Sequence, residues 1–179
     1  MDLLVDYVTG NFAYSVELRT FAVALAGAYA VRKSNATQNW FHAFVKSSLA
    51  GFGGGWFTFA WMGRPTSMIA SADINMTCCI LAFVLMHWMP GGYFVAQTVP
   101  GQIVITSGAQ LFRALGTVGF VSFAMEHLTA TPYYPIPLLG PIVYGTLLGN
   151  MGPLVTKGVD AYLGGGNGMP WGFQQSTYV

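Results

Sequence analysis

The stretch from Trp40 to Gly63, WFHAFVKSSLAGFGGGWFTFAWMG, constrains this chain most. It is long enough to cross a bilayer as one helix, and its only charge is Lys46. Three consecutive glycines, Gly53, Gly54 and Gly55, sit at its middle. Each glycine gives up about 1 kcal/mol of helix propensity relative to alanine. Such a cluster therefore needs a return, either a bend or the close approach of another backbone or a ligand. A second glycine-punctuated apolar stretch, Leu138 to Val155 (LLGPIVYGTLLGNMGPLV), carries Gly145, Gly149 and Gly152. Two interrupted hydrophobic segments in the two halves of a chain point to a transport pathway between them.

Charge then sets the class. Only 7% of the 179 residues are charged and 54% are hydrophobic, with mean hydropathy +0.52, whereas an ordinary soluble domain is roughly 25% charged. A chain this poor in charge cannot cover a water-facing surface, so the sequence reads as an integral membrane protein. The expected fold is all-α, a polytopic membrane bundle of about five transmembrane helices with the second and fifth bent at glycine. A net charge of +1 offers no basic patch to neutralise phosphates, which argues against nucleic acid as a partner. Cys78 and Cys79 are adjacent in an apolar run and point in different directions on a helix, so they read as small buried hydrophobes.

Taken in order, the acidic start (Asp2, Asp6, Glu17) fits neither a signal peptide nor a presequence. The first span ends at Arg32 and Lys33, and it is long enough only if Phe12 to Leu18 joins Thr20 to Val31. The polar segment Ser34 to Asn39 forms a loop, in which Asn35-Ala36-Thr37 fits a glycosylation acceptor. After the Trp40 helix comes a turn at Arg64-Pro65, then a span from Ile74 to Met89 ended by Pro90. The apolar run from Tyr93 reads as a helix from about Pro100 to Glu126 and His127, continuing or bending at Gly116 and Gly119. Thr129 to Pro137 is a proline-rich loop with an aromatic interface anchor, Tyr133-Tyr134. The last span ends at Val155, with Lys157 marking its end. This divides the chain into a bundle, 1–157, and a Gly- and aromatic-rich tail, 158–179. The positive-inside rule turns Arg32, Lys33 and Lys157 towards the cytosol or its organellar equivalent.

The inventory of chemistry is short. There is no G-x-S-x-G, phosphate-binding loop or H-E-x-x-H, so no catalytic residue is assigned and the chain does not read as an enzyme. His42, His87 and His127 lie on different segments without metal-ligand spacing, so no metal site is expected. Each reads first as an interface histidine; the sharper alternative is a single axial bond to haem or chlorophyll. Lys46 and Arg113 are the cations inside spans. Each reads first as snorkelling to an interface, and as a lipid-headgroup contact if functional. The glycines at 53–55 and at 145, 149 and 152 serve either close packing alone or packing with a hinge beside a pore; Gly145 and Gly149 have the familiar small-residue spacing.

Several short motifs follow one another as in a known family. S-S-L-A-G-F-G-G-G-W is followed by G-R-P, then A-D-I-N-M-T-C-C-I-L-A, then W-M-P-G-G-Y-F. Trp40-Phe41, Phe52-Gly53-Gly54, Arg64-Pro65, Asn75-Met76-Thr77, Met89-Pro90 and Val99-Pro100 fall in order. The run from Phe21 to Val155 thus resembles the trimeric intracellular cation channel family. The resemblance implies a homotrimer in an intracellular or organellar membrane, with one pore per protomer. Its two three-helix halves would be repeats whose glycine-bent second and fifth helices shape the pore. The activity implied is passage of monovalent cations, chiefly potassium. Where the family's fourth helix carries K-E-V before an arginine that holds an anionic lipid, this chain has Ala109-Gln110-Leu111-Phe112-Arg113, so only the arginine is kept. The family's sixth and seventh helices have no counterpart after the fifth-like segment, and a pore would lack a wall unless a partner supplied it.

Three functions follow. The first is an accessory or structural subunit of a larger organellar membrane complex, with membrane lipids and other subunits as partners. The second is a homotrimeric potassium channel with Gly53 to Gly55, Gly145 and Gly149 at its hinges. The third is a pigment- or haem-associated subunit. Bound lipids are the only non-protein partners expected under the first two.

Overall fold

The computed structural model describes residues 2–34, 39–63, 73–127 and 138–164. These are helical nearly throughout, with no strand among them. The fold is all-α. A short helix α1, Asp2–Thr9, precedes α2, Ser15–Ser34, and α3, Trp40–Trp61. Helix α4, Asp73–Phe83, runs on into a π-helical turn, Val84–Trp88. Then come α5, Gly92–Gln97, α6, Val99–His127, and α7, Leu139–Gly164.

Local chemistry sets the boundaries. Gly10, at φ +88°, closes α1 in the left-handed conformation that favours glycine. Asn39 caps α3, its side-chain oxygen accepting the Phe41 N–H at 2.9 Å. Pro90 has no N–H to continue α4; the last turn widens, with the Met89 N–H donating to the Val84 carbonyl at 3.0 Å. Thr98 closes α5 and opens α6, since its hydroxyl donates to the Val95 carbonyl at 2.6 Å and accepts from the Gly101 N–H at 3.2 Å. Pro100 falls in the first turn of α6, where a missing N–H costs nothing.

The helix read from about Pro100 to His127 is present as α6 and continues through Gly116 and Gly119. Ahead of it lies a short helix, α5, that the sequence reading did not separate. Both glycine-rich helices, α3 and α7, are continuous. The last helix runs past Lys157 to Gly164. Between Lys157 and Gly164 there is no proline and one isolated glycine, so nothing stops the helix before the glycine run. The glycosylation triplet, the Arg64-Pro65 turn, the Thr129 to Pro137 loop and the tail aromatics Trp171, Phe173 and Tyr178 lie outside the described residues.

Side-chain pairs fix the directions of the helices. Trp61 meets Tyr144 while Gly53 meets Gly152, so α3 and α7 are antiparallel. Phe52 meets Phe112 and Phe59 meets Phe120, so α3 and α6 are parallel. Gln102 reaches Tyr29 while Gly108 abuts Ala22, so α2 and α6 are antiparallel. Helix α2 packs on α3, α4 and α6, and α7 packs on α3 and α6. The core they enclose is built from small side chains, including Ala24 and Ala28 of α2, Cys78, Cys79 and Ala82 of α4, and Ala109 of α6. Both cysteines are buried and free, as the sequence reading holds.

Among the described residues one helix, α6, is long and apolar enough to cross a membrane; the run Ile74–Trp88 is a shorter apolar helix.

The α2–α3 contact gives a direct test. A Cβ on Gly27 would collide with the Ser47 carbonyl oxygen and lie 2.8 Å from the Gly51 nitrogen, both rigid backbone. Gly27→Ala should therefore destabilise the bundle by about 1–3 kcal/mol. Gly119, with nothing within 4 Å of its Cβ position, is the control. Gly119→Ala should hold or raise the melting temperature, because alanine gains about 1 kcal/mol of helix propensity. Thermal melts of the purified variants in detergent separate the two.

Candidate functional site

The two glycine stretches meet each other. A Cβ on Gly53 would lie 3.2 Å from the Gly152 Cα, and one on Gly152 would lie 3.3 Å from the Ala50 carbonyl oxygen. Two helix backbones thus pass close enough that a methyl group on either glycine would be tighter than an ordinary contact. Gly53, Gly54 and Gly152 are buried there, and Gly55 is half-buried at the edge of the crossing. The Gly54 carbonyl also accepts the buried Thr58 hydroxyl at 2.8 Å. Gly145, about two turns before Gly152 in α7, faces α6, where an added Cβ would sit 2.9 Å from Val121 Cγ2. Gly149 lies on α7 between these two contacts. The arrangement seals the α3–α7 crossing, leaving no lumen between Gly53 and Gly152.

The two cations proposed as lipid contacts have different surroundings. Lys46 is 3% exposed, one turn before Ala50 and followed by the buried Ser47 and Ser48. It is enclosed within the bundle. The sequence could not reveal this, since enclosure depends on which helices close around α3. Arg113 is half-buried on α6 and its carbonyl accepts the Thr117 hydroxyl at 2.9 Å. The adjoining surface is an apolar groove of about 180 Å³ lined by Val16, Arg19, Phe112, Leu115 and Gly116.

The histidines divide between the two ends of the bundle. His127, exposed at the end of α6, stacks on Phe123 with ring centroids 3.9 Å apart. His42 opens α3, and His87 lies in the π-helical turn, stacked on Phe83 at 4.4 Å. His87 also lines a cavity of about 200 Å³ with Arg32, Asn39, Trp40, Phe83 and Trp88. No cluster of three or more His, Cys, Asp or Glu able to hold a metal occurs among the described residues.

Sequence reasoning placed Arg32 only at the end of the first span and Asn39 only at the end of a polar loop. That they share a cavity with His87 follows from the alternation of direction, which returns α2, α3 and α4 to the same end. Comparison of the chain with protein-family models, with curated proteins and with solved structures gives no match.

If Gly53 and Gly152 serve one contact, their variants will not add. Gly53→Ala and Gly152→Ala should each cost about 1–3 kcal/mol. The double variant should cost measurably less than their sum, because once the helices part the second methyl finds room. Additive losses in a double-mutant cycle of melting free energies would deny the shared crossing.

Proposed function

We propose that this chain is a polytopic membrane helix bundle serving as a structural, accessory subunit of a larger membrane assembly, built on a fold of the cation-channel type but not conducting by itself. The observation that carries the reading is the sealed crossing of Gly53 and Gly152. Helices that would have to part to shape a pore instead touch at backbone distance.

The membrane setting is supported by the outer surface. On α6, Ile103, Val104, Val118 and Met125 are all more than half exposed, and on α7 so are Leu139 and Ile142. Monomers in water rarely leave so continuous an apolar face open; in a bilayer it meets acyl chains or neighbouring helices. The likeness to the channel family is supported by the antiparallel contacts of α2 with α6 and of α3 with α7, the pairing expected of two inverted halves. Helix α4 covers α2 and α3, while the corresponding face of α6 and α7 is open among the described residues. A partner subunit docked there would complete the bundle.

Two measurements test this. The chain should stay in the membrane pellet after an alkaline carbonate wash. Solubilised in mild detergent, it should migrate on a native gel with other subunits identified by mass spectrometry. A single species near three times 19.2 kDa, with no other protein, would favour the homotrimeric channel instead.

A further inference from the structure

We propose that the cavity at the Arg32 end of the bundle binds the headgroup of an anionic phospholipid. This rests on the membrane reading above and not on the accessory role. Its walls come from three helix ends: the end of α2, the start of α3 and, far along the chain, the π-helical turn after α4. Turns of this kind are frequent at functional sites because they re-aim side chains and carbonyls.

Arg32 is held ready. One guanidinium nitrogen donates to the His87 carbonyl oxygen at 3.0 Å, and the group lies 5.4 Å from the Tyr93 ring centroid. A guanidinium has five N–H donors, and this bond uses one. An oriented, exposed guanidinium with donors remaining is the usual device for recognising phosphate. The start of α3 adds to it. Asn39 turns its acceptor inward onto the Phe41 N–H, and the positive end of the helix dipole faces the cavity. His87 contributes a ring that hydrogen-bonds the Ala28 backbone while its Nε2 is buried without a partner among the described residues. No carboxylate stands among the lining residues. Arg32 and the start of α3 therefore favour an anion, while the C-terminal ends of α2 and of the π-helical turn do not.

The flanks favour a lipid over free phosphate. Trp40 and Trp88, 62% and 63% exposed, stand on either side of the cavity. Indoles in this position sit at headgroup level, and basic pockets between spanning helices hold lipid headgroups.

The test uses the full chain, purified in detergent and studied by native mass spectrometry with phosphatidylglycerol, phosphatidylcholine or inorganic phosphate. The wild type should bind phosphatidylglycerol about tenfold or more tightly than phosphatidylcholine. Arg32→Gln should lose that preference, Arg32→Lys should keep part of it, and Lys157→Gln, altered at an exposed cation of α7, should keep all of it. Because the readout is preference between two lipids, a merely structural loss at Arg32 would weaken both alike. If Arg32→Gln does not fold, Arg32→Lys decides: a preference equal to wild type overturns the proposal. So does equal loss in Lys157→Gln, and so does displacement of the lipid by millimolar phosphate, which would assign the cavity to the free anion. A chain released by carbonate would overturn the membrane reading itself. A chain retained in the membrane but indifferent to phosphatidylglycerol would overturn this inference alone.

Discussion

Helix α3 touches other backbones on two sides, and the rest of the bundle is arranged around that fact. On one side Gly51 lies against Gly27 and Val23 of α2, and on the other Gly53 lies against Gly152 of α7. Lipid tails are as apolar as leucine, so helices within a bilayer gain little by hiding apolar side chains from their surroundings. Association then depends on contact area, and removing Cβ atoms is the direct way to increase it. Each glycine costs about 1 kcal/mol of helix propensity, and backbone contact on both faces of α3 is the compensation. The alanines and cysteines of the core follow from the same spacing, because helices this close favour small side chains where they cross. The large rings fill what remains, as where Phe52 and Phe59 meet Phe112 and Phe120 in the wider gap between parallel helices.

The same spacing bears on function. Glycines within a long apolar helix are compatible with a hinge beside a pore or with a tight crossing, and the two differ in what lies next to the missing Cβ. Beside Gly53 it is another glycine backbone. The enclosed Lys46 fits this picture too: at 3% exposure it is a charge kept within the bundle, where burial is costly unless the surroundings are polar. Buried serines and threonines are concentrated on α2 and α3, with Thr20, Ser47, Ser48 and Thr58 each nearly or fully enclosed.

How much of this could be read beforehand varies with the range of the interaction. The long helices were readable because their apolar runs end at local signals such as Arg32-Lys33, Asn39 and Pro90. The helical class followed from the scarcity of charge. What was not readable depends on partners distant in the chain. The split into α5 and α6 turns on the double use of one hydroxyl at Thr98. The enclosure of Lys46 depends on neighbouring helices. The Arg32 cavity needs three helix ends brought together by topology. Helix α7 runs past Lys157 because nothing before the glycine run at its end breaks a helix.

The central claim is that the glycine crossing is a closed contact and that the chain alone offers no ion path. The most direct measurement is potassium uptake by liposomes containing only the purified chain, compared with protein-free liposomes of the same composition. The account predicts equal rates at every protein density. A potassium-selective flux that rises with protein density, and that changes in Gly53→Ala, would contradict it and return the glycines to the role of pore hinges.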